Sequence, residues 1–147
     1  KGLTAACVFY SCKNCGVPRS SREISQLFSL NPIIVTKGIK LFQELMQLNK
    51  NSDRIEKTKT INQSDFIERF CYNLSIDETH IESIVKLSKT TIQKNTITEN
   101  TPPSIAAGCI YYYCQQKNVP ISKKDISDIC NVSEVTINKC YSKLLEL

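Results

Sequence analysis

The segment that decides the fold is Ser122-Lys-Lys-Asp-Ile-Ser-Asp-Ile-Cys-Asn-Val-Ser-Glu-Val-Thr-Ile-Asn-Lys-Cys-Tyr141. Apolar residues recur at helical spacing on both sides of Asn131, which predicts two short helices joined by a tight turn. Asparagine suits such a turn because it tolerates the left-handed backbone conformation, and Val132 is expected to fill the corner. Together these features are typical of a helix-turn-helix.

Each helix of this motif is expected to have one buried and one free face. The predicted inward residues are Ile126, Ile129, Cys130, Ile137, Cys140, Tyr141, Leu144 and Leu145. The predicted free face of the second helix carries Val135, Thr136, Asn138, Lys139, Ser142 and Lys143. In DNA-binding motifs of this kind the start of the second helix reaches base edges in the major groove. Two short helices that merely cross at an angle give the same pattern, and Val135 suits either DNA contact or packing on the first helix.

The motif occurs twice. Sliding the chain along itself by 102 residues aligns residues 1–45 with 103–147 and gives twelve identities, among them Cys7 with Cys109 and Pro18 with Pro120. Two copies of one structural unit follow from this self-similarity. The second copy has helical segments before it, across 63–95, that the first copy lacks. The first repeat is therefore expected to be incomplete, with about 50–60 more residues upstream in the whole protein.

Every element is predicted to be helical. The segments 2–14 and 103–116 are apolar on all sides, as buried central helices are, whereas 63–74 and 77–94 each have one apolar face. Ser20-x-x-Glu23 and Ser122-x-x-Asp125 form capping boxes at helix starts, and Asn31-Pro32 and Ser133 are expected to begin the second helix of each motif. The predicted organisation is 1–47 for the first repeat, 48–62 for a polar linker and 63–147 for the second repeat.

Composition excludes several classes of protein. The chain has 147 residues, eight cysteines and a net charge of +5, and no uncharged apolar run approaches the roughly 20 residues of a membrane span. Most cysteines lie within helical apolar patterns, which favours reduced thiols inside a cell over a disulfide framework. Cys12-x-x-Cys15 lacks the second pair that a structural zinc site needs, so no metal site is predicted. With no phosphate-binding loop and nothing to pair the lone His80 with a cysteine, no enzymatic activity is predicted.

Positive charge is concentrated near the beginning of the chain. Residues 1–50 hold seven Lys and Arg against two Asp and Glu, whereas 51–101 carry a net −1 and 102–147 a net +1. The basic side chains in the first copy are Lys13, Arg19, Arg22, Lys37 and Lys40. Basic groups beside a helix-turn-helix favour phosphate contacts. Because the total is modest, we expect weak binding to DNA without a partner.

Two repeats with a buried Ala-rich helix followed by a helix-turn-helix resemble the core domain of general transcription factor IIB. The resemblance is strongest over Pro103-Ser-Ile-Ala-Ala-Gly-Cys-Ile-Tyr-Tyr112 and Lys124–Ile137. Ala5–Cys12, Gly16–Arg19 and Asp65–Leu74 are similar to other parts of that core. It implies an all-α fold of two cyclin-like repeats, each ending in a helix-turn-helix, with the first repeat incomplete. It also implies a zinc ribbon upstream and no cofactor within this chain.

The resemblance implies a nuclear, monomeric, non-membrane transcription initiation factor. Its expected partners are the TATA-binding protein, promoter DNA flanking the TATA box and RNA polymerase II. The residues expected to contact DNA are Val135, Thr136, Asn138, Lys139, Ser142, Lys123 and Lys124 in the second repeat, with Thr36 and Lys37 in a loop of the first. Arg69 and Phe70 are expected to face the TATA-binding protein. Asn138 stands where many family members have a guanine-reading arginine, and asparagine suits adenine instead.

Two other functions fit the same features. Cyclins share the buried central helix and activate kinases without binding DNA, but they need no exposed polar face such as the one at 134–143. A related factor serving RNA polymerase III, or an archaeal or viral homologue, would keep that face and could act in the cytoplasm.

Overall fold

The protein was studied as a computed structural model that describes residues 1–48, 61–94, 97 and 101–146. These residues form eight α-helices and no strand, which confirms the predicted all-α fold. The helices are α1 (Gly2–Asn14), α2 (Ser21–Leu27), α3 (Pro32–Leu48), α4 (Ser64–Asn73), α5 (Glu78–Gln93), α6 (Pro102–Gln116), α7 (Lys123–Cys130) and α8 (Glu134–Leu145). None of the helices in the described part of the chain is long and apolar enough to cross a membrane.

The chain divides into two compact units, Lys1–Ile61 and Asn62–Leu147. Helix α3 continues through Leu48, one residue beyond the predicted end of the first repeat. Most of the predicted linker, residues 49–60, lies outside the described residues.

The second unit is built around α6. Pro102 and Pro103 occupy its first two positions, where the missing amide hydrogen leaves no helical hydrogen bond unmade. The other four helices of the unit all pack against α6. Its buried residues are Ile105, Ala106, Ala107, Gly108, Cys109, Ile110 and Cys114. The predicted buried central helix is therefore present.

Helices α4 and α5 cover one side of α6. The buried residues of α4 are Phe66, Ile67, Phe70 and Cys71. In α5 the buried hydroxyls of Ser88 and Thr91 donate to carbonyls of their own helix at 2.8 and 2.9 Å. Because both hydroxyls are hydrogen-bonded, their burial in the core costs little free energy. A 3.1 Å contact between His80 Nδ1 and the Tyr113 hydroxyl ties α5 to α6. Ile92 belongs to the apolar face that the sequence indicates for 77–94, but it is 42% exposed near the end of α5.

The first unit has the same arrangement with fewer helices. Its α1 packs against α2 and α3, and the Tyr10 and Phe42 rings stack with centroids 4.5 Å apart. The buried centre consists of Ala5, Ile24 and Val35. Around it pack Val8, Phe9, Phe28, Leu30 and Ile39.

The internal repeat is visible in the backbone. Helices α7 and α8 begin 102 residues after α2 and α3, in agreement with the sequence offset. The left-handed residues repeat at the same spacing: Gly16 (φ 77°) matches Asn118 (φ 53°), and Ser29 (φ 49°) matches Asn131 (φ 54°). Such values are uncommon outside glycine, asparagine and aspartate. Their recurrence shows that both units use the same two turns.

The two central helices differ in how much of their surface is covered. Ile105 is 6% and Cys109 0% exposed in α6, whereas the equivalent Leu3 is 39% exposed and Cys7 lies on the surface of α1. Helices α4 and α5 pack on α6, and the described part of the first unit has no counterpart of them. One side of α1 is therefore apolar and open.

Close helix packing depends on glycine. A Cβ atom placed on Gly108 would lie 2.3 Å from the Cys140 Cβ, and one on Gly38 would lie 2.1 Å from the Gly2 carbonyl oxygen. Both distances are far below ordinary van der Waals contact. The crossings of α6 with α8 and of α1 with α3 therefore each need a residue without a side chain.

We expect Gly108→Ala to lower the free energy of unfolding by about 1–3 kcal/mol, since α8 must move to admit the methyl group. Cys140→Gly alone should cost about 1 kcal/mol as a helix-interior glycine. The double variant Gly108→Ala/Cys140→Gly exchanges the two residue types, as in the first unit, where the equivalent positions hold Ala6 and Gly38. Its loss of stability should be smaller than the sum of the two single losses. Urea unfolding followed by circular dichroism checks this, and additive effects would contradict the close contact.

The cysteines differ in burial between the two units. All eight are free thiols, in line with the helical patterns around them. Cys7 and Cys15 are exposed and Cys12 is half-buried. The buried thiols all belong to the second unit and are Cys71, Cys109, Cys114, Cys130 and Cys140. Burial raises the pKa of Cys71 and Cys109 from 9.0 to about 12 and that of Cys114 to about 11.

We expect the second unit to lose stability as the pH rises above about 9. The unfolded thiols ionise there, whereas the buried ones stay neutral until their higher pKa values are reached, so deprotonation favours the unfolded chain. The contribution of the buried thiols to the free energy of unfolding is fully present below pH 9 and is lost between pH 9 and 12. Urea midpoints measured from pH 7.5 to 10 should fall less steeply in Cys71→Ala/Cys109→Ala than in the control Cys7→Ser. Equal slopes would show that these thiols do not carry the effect.

Candidate nucleic-acid interface

The predicted helix-turn-helix of the second unit is formed by α7 and α8. Asn131 ends α7 in the left-handed conformation, with φ 54° and ψ 43°. Val132 is 6% exposed and fills the corner between the helices, as predicted. Ile126 on α7 and Ile137 on α8 are fully buried.

Side-chain caps fix the start of both helices. The capping box of α7 is complete: the Asp125 amide donates to Ser122 Oγ at 3.1 Å, and the Ser122 amide donates to Asp125 Oδ2 at 3.2 Å. Ser133 Oγ accepts from the Thr136 amide at 3.3 Å and lies 2.8 Å from Thr136 Oγ1. Thr136 is therefore partly engaged in the cap of α8, and its methyl group is the part available to a ligand.

The exposed face of α8 is polar apart from Val135 near its start and Leu145 at its end. Val135 is 65% exposed, so it does not pack on α7. At 100° per residue, Val135, Asn138, Lys139 and Ser142 fall within an arc of about 100°, and all four are exposed. We call these four residues the α8 face. They form one continuous strip that begins at the N-terminus of the helix.

Two predicted core residues of this motif lie at the surface. Ile129 is 37% exposed and Leu145 is 56% exposed. Ile129 lies at the edge of the buried stripe of α7, and Leu145 is the last residue of α8, so neighbouring helices cover neither of them fully.

A cluster of tyrosines supports the motif. The Tyr141 ring lies 5.1 Å from that of Tyr111 and 6.0 Å from that of Tyr112, measured between centroids. Lys123 Nζ lies 5.2 Å from the centre of the Tyr111 ring, which favours an oriented ammonium group. Lys124 is exposed. The role of Tyr111 in orienting Lys123 was not predicted, because sequence spacing alone does not bring α6 and α7 together.

In the first unit the predicted DNA contacts lie on a helix and not in a loop, which corrects the earlier expectation. Thr36 and Lys37 belong to the second turn of α3, and Thr36 Oγ1 donates to the Pro32 carbonyl at 3.0 Å. Both residues are exposed and stand at the repeat positions of Asn138 and Lys139. Sequence reasoning missed Ile33, which is 63% exposed and occupies the repeat position of Val135. The 102-residue offset is the signal that identifies it.

Part of the positive charge of the first copy is already engaged. Lys13 Nζ lies 5.6 Å from the Tyr10 ring centre, and Arg19 lies 3.8 Å from the Glu23 carboxylate. Lys37 and Lys40 are exposed on α3. These two lysines are therefore better placed to contact phosphates than Arg19, whose charge is paired with Glu23.

The expectation for Phe70 is wrong. Its side chain is fully buried in α4, so it cannot touch a partner directly. Arg69 is half-buried, with its guanidinium 5.0 Å from the Phe70 ring centre and 5.6 Å from that of Phe66. Helical spacing separates the two neighbours, because Phe70 shares the apolar face of α4 with Phe66 and Arg69 does not. Arg69 alone keeps surface that a partner could contact.

Within the described ranges, no three His, Cys, Asp or Glu side chains are grouped so that they could hold a metal ion. In the second unit the candidate surface consists of the α8 face and the lysines at the start of α7, and α3 carries the equivalent exposed positions in the first unit.

Comparisons with known proteins agree with this architecture. Residues 56–147 match the family model of the transcription factor TFIIB repeat. The chain is 32% identical over 146 residues to a transcription initiation factor IIB-like protein of Acanthamoeba polyphaga mimivirus, covering 97% of this chain and 31% of that protein.

The chain belongs to the TFIIB family. It is also 26% identical over 139 residues to transcription initiation factor IIB of Xenopus laevis (95% of this chain, 42% of the relative). For the factor IIB of Encephalitozoon cuniculi the identity is 28% over 149 residues (99% and 44%). The chain thus spans less than half the length of these TFIIB relatives. The matched TFIIB repeat contains α4 to α8, and hence the α8 face.

Proposed function

We propose that this chain binds the complex of the TATA-binding protein with promoter DNA and, within the whole protein, helps to recruit and position RNA polymerase II. The observation that carries the proposal is the exposed α8 face on a fully capped helix-turn-helix inside a TFIIB repeat. A helix with that face can enter the major groove, whose base pairs present distinct donor and acceptor patterns.

Each group of the interface has a chemical role in this proposal. Val135 and the Thr136 methyl suit the thymine methyl, and the Asn138 amide suits the N6 and N7 edge of adenine. Lys123, Lys124 and Lys139 supply charge for phosphates, which position the protein without reading sequence. Thr36 and Lys37 stand at the positions of the first unit that are equivalent to Asn138 and Lys139. They contact DNA on the other side of the TATA box.

The modest net charge of +5 supports a binder that depends on a partner. The TATA-binding protein kinks its DNA by about 80°, and such a bend brings the two flanks of the box towards one protein. Arg69 is the candidate contact to the TATA-binding protein, since it is only partly buried and its guanidinium lies over two phenylalanine rings. In this proposal the protein acts in the nucleus as a monomer and catalyses no reaction.

The similarity to the mimivirus protein favours a second candidate. In it the chain performs the same initiation step for a viral polymerase, with the cytoplasm as its site of action. The contacts with DNA are the same in both candidates, and only the polymerase partner differs.

A gel-shift experiment tests the proposal. We expect the protein, extended upstream by its natural sequence, to shift a complex of TATA-binding protein and TATA DNA further, and to bind the same DNA at least tenfold more weakly on its own. Lys123→Ala/Lys139→Ala should weaken the ternary complex. The slope of its log binding constant against log salt concentration should decrease by the amount expected for about two phosphate contacts. Failure to shift the complex at low salt would overturn the proposed function.

Asn138 and Lys139 should have distinguishable effects. We expect Asn138→Ala to reduce the preference for adenine in the upstream flank by about 1–3 kcal/mol, because the lost amide reads a base edge. Lys139→Ala is the matched control and should weaken all upstream sequences alike. Affinities measured on a panel of upstream sequences check this, and an unchanged preference in Asn138→Ala would exclude Asn138 from base reading.

A further inference from the structure

A groove in the second unit lies between the end of α4, the loop after α6 and one side of α7. Its volume is about 390 Å³, within the range of roughly 300–1,000 Å³ that ligand pockets have. The apolar lining comes from Leu74, Pro120, Ile121 and Ile129. Ile129 is the residue that helical spacing assigns to the core, yet it is 37% exposed. We call this site the acidic groove, for the reason that follows.

All of its charge is negative. Asp125 and Asp128 are its charged lining residues, and both are exposed. Both capping bonds between Ser122 and the Asp125 carboxylate use Oδ2, which leaves Oδ1 able to accept another bond. Helix α4 ends at Asn73 on the same groove, and a helix C-terminus carries roughly half a negative charge. The groove therefore combines an apolar floor with a negative rim.

The first unit shows which kind of side chain pairs with the carboxylate at this position. At the repeat position of Ile121 it has Arg19, and the Arg19 guanidinium lies 3.8 Å from Glu23, the residue equivalent to Asp125. In the first unit Arg19 thus supplies a cation at the position where the second unit has Ile121. In the second unit the cation is missing and an apolar surface takes its place.

We propose that the acidic groove binds a short segment of a partner protein in which bulky apolar side chains are flanked by lysine or arginine. The apolar side chains cover Leu74, Ile121 and Ile129, and the basic groups pair with Asp125 and Asp128 as Arg19 pairs with Glu23. DNA does not fit, because two carboxylates and a helix C-terminus repel phosphates. On α7 the groove residues Asp125 and Ile129 lie about 120–160° around the helix from Lys123, whereas Asp128 lies about 40° from Lys124, so Lys123 and the α8 face are the DNA-contacting groups remote from the groove. A protein can therefore occupy the groove while the α8 face remains on DNA.

The test uses the 147-residue chain and two synthetic peptides observed by ¹⁵N–¹H NMR. One peptide is acetyl-Gly-Lys-Arg-Leu-Phe-Lys-Arg-Gly-amide, and its twin has glutamate at the four basic positions. The basic peptide should shift the amides of Leu74, Ile121, Asp128 and Ile129, and the acidic twin should shift none of them. Asp128→Asn should weaken binding of the basic peptide about threefold, since an exposed ion pair is worth little. Asp125→Asn/Asp128→Asn should weaken it about tenfold, and Ile129→Ala should also weaken it.

Glu82→Gln is the matched control, because Glu82 is exposed on α5 outside the groove. It removes one carboxylate and should leave binding unchanged. Equal effects of Glu82→Gln and Asp128→Asn would overturn the proposal, as would equal binding of the two peptides. Shifts at the groove on adding a DNA duplex would also overturn it. Unchanged gel-shift behaviour of Asp128→Asn on promoter DNA would support a surface independent of the DNA interface.

Discussion

The second unit depends on the complete burial of α6. This helix is apolar on every side, so each of the four other helices of the unit has to cover one part of it. The crossing with α8 is closest, because Gly108 allows the Cys140 side chain to reach the backbone. That contact fixes the position of α8, and the capped turn at Asn131 fixes its direction. The α8 face is thus oriented by the packing of residues that are themselves buried.

Much of this could be predicted from the sequence. A run that is apolar on all sides indicates a central helix, Ser-x-x-Glu and Ser-x-x-Asp indicate helix starts, and Asn131 indicates the turn, since each of these signals is local. Errors occur where burial depends on the extent of a neighbouring helix. Ile129 and Leu145 are cases of this kind, because helical spacing defines a face but not how far another element covers it. Phe70 is a different case, since helical spacing places it on the apolar face of α4 and only the resemblance assigned it to a partner.

The two units show what duplication retains and what it changes. Turn geometry is retained, and Ser29 takes the left-handed conformation that Asn131 takes in the other copy. Surface chemistry changes, with Arg19 in place of Ile121 and Thr36 in place of Asn138. The contrast is physical: a left-handed turn is required for the helices to pack, whereas an exposed side chain is constrained only by what binds it. Exposed charged and polar groups can therefore diverge between copies that share one backbone.

The enclosure of α6 also separates two kinds of motion. Amides of a helix surrounded by four others can exchange hydrogen with solvent only when the unit as a whole opens, so their exchange rates report its global stability. Helix α8 has one open side, and its last residue Leu145 is exposed. Its end can fray and re-form on a much faster timescale. The end of α8 can therefore adjust to the shape of a bound molecule while the unit that carries the helix stays folded.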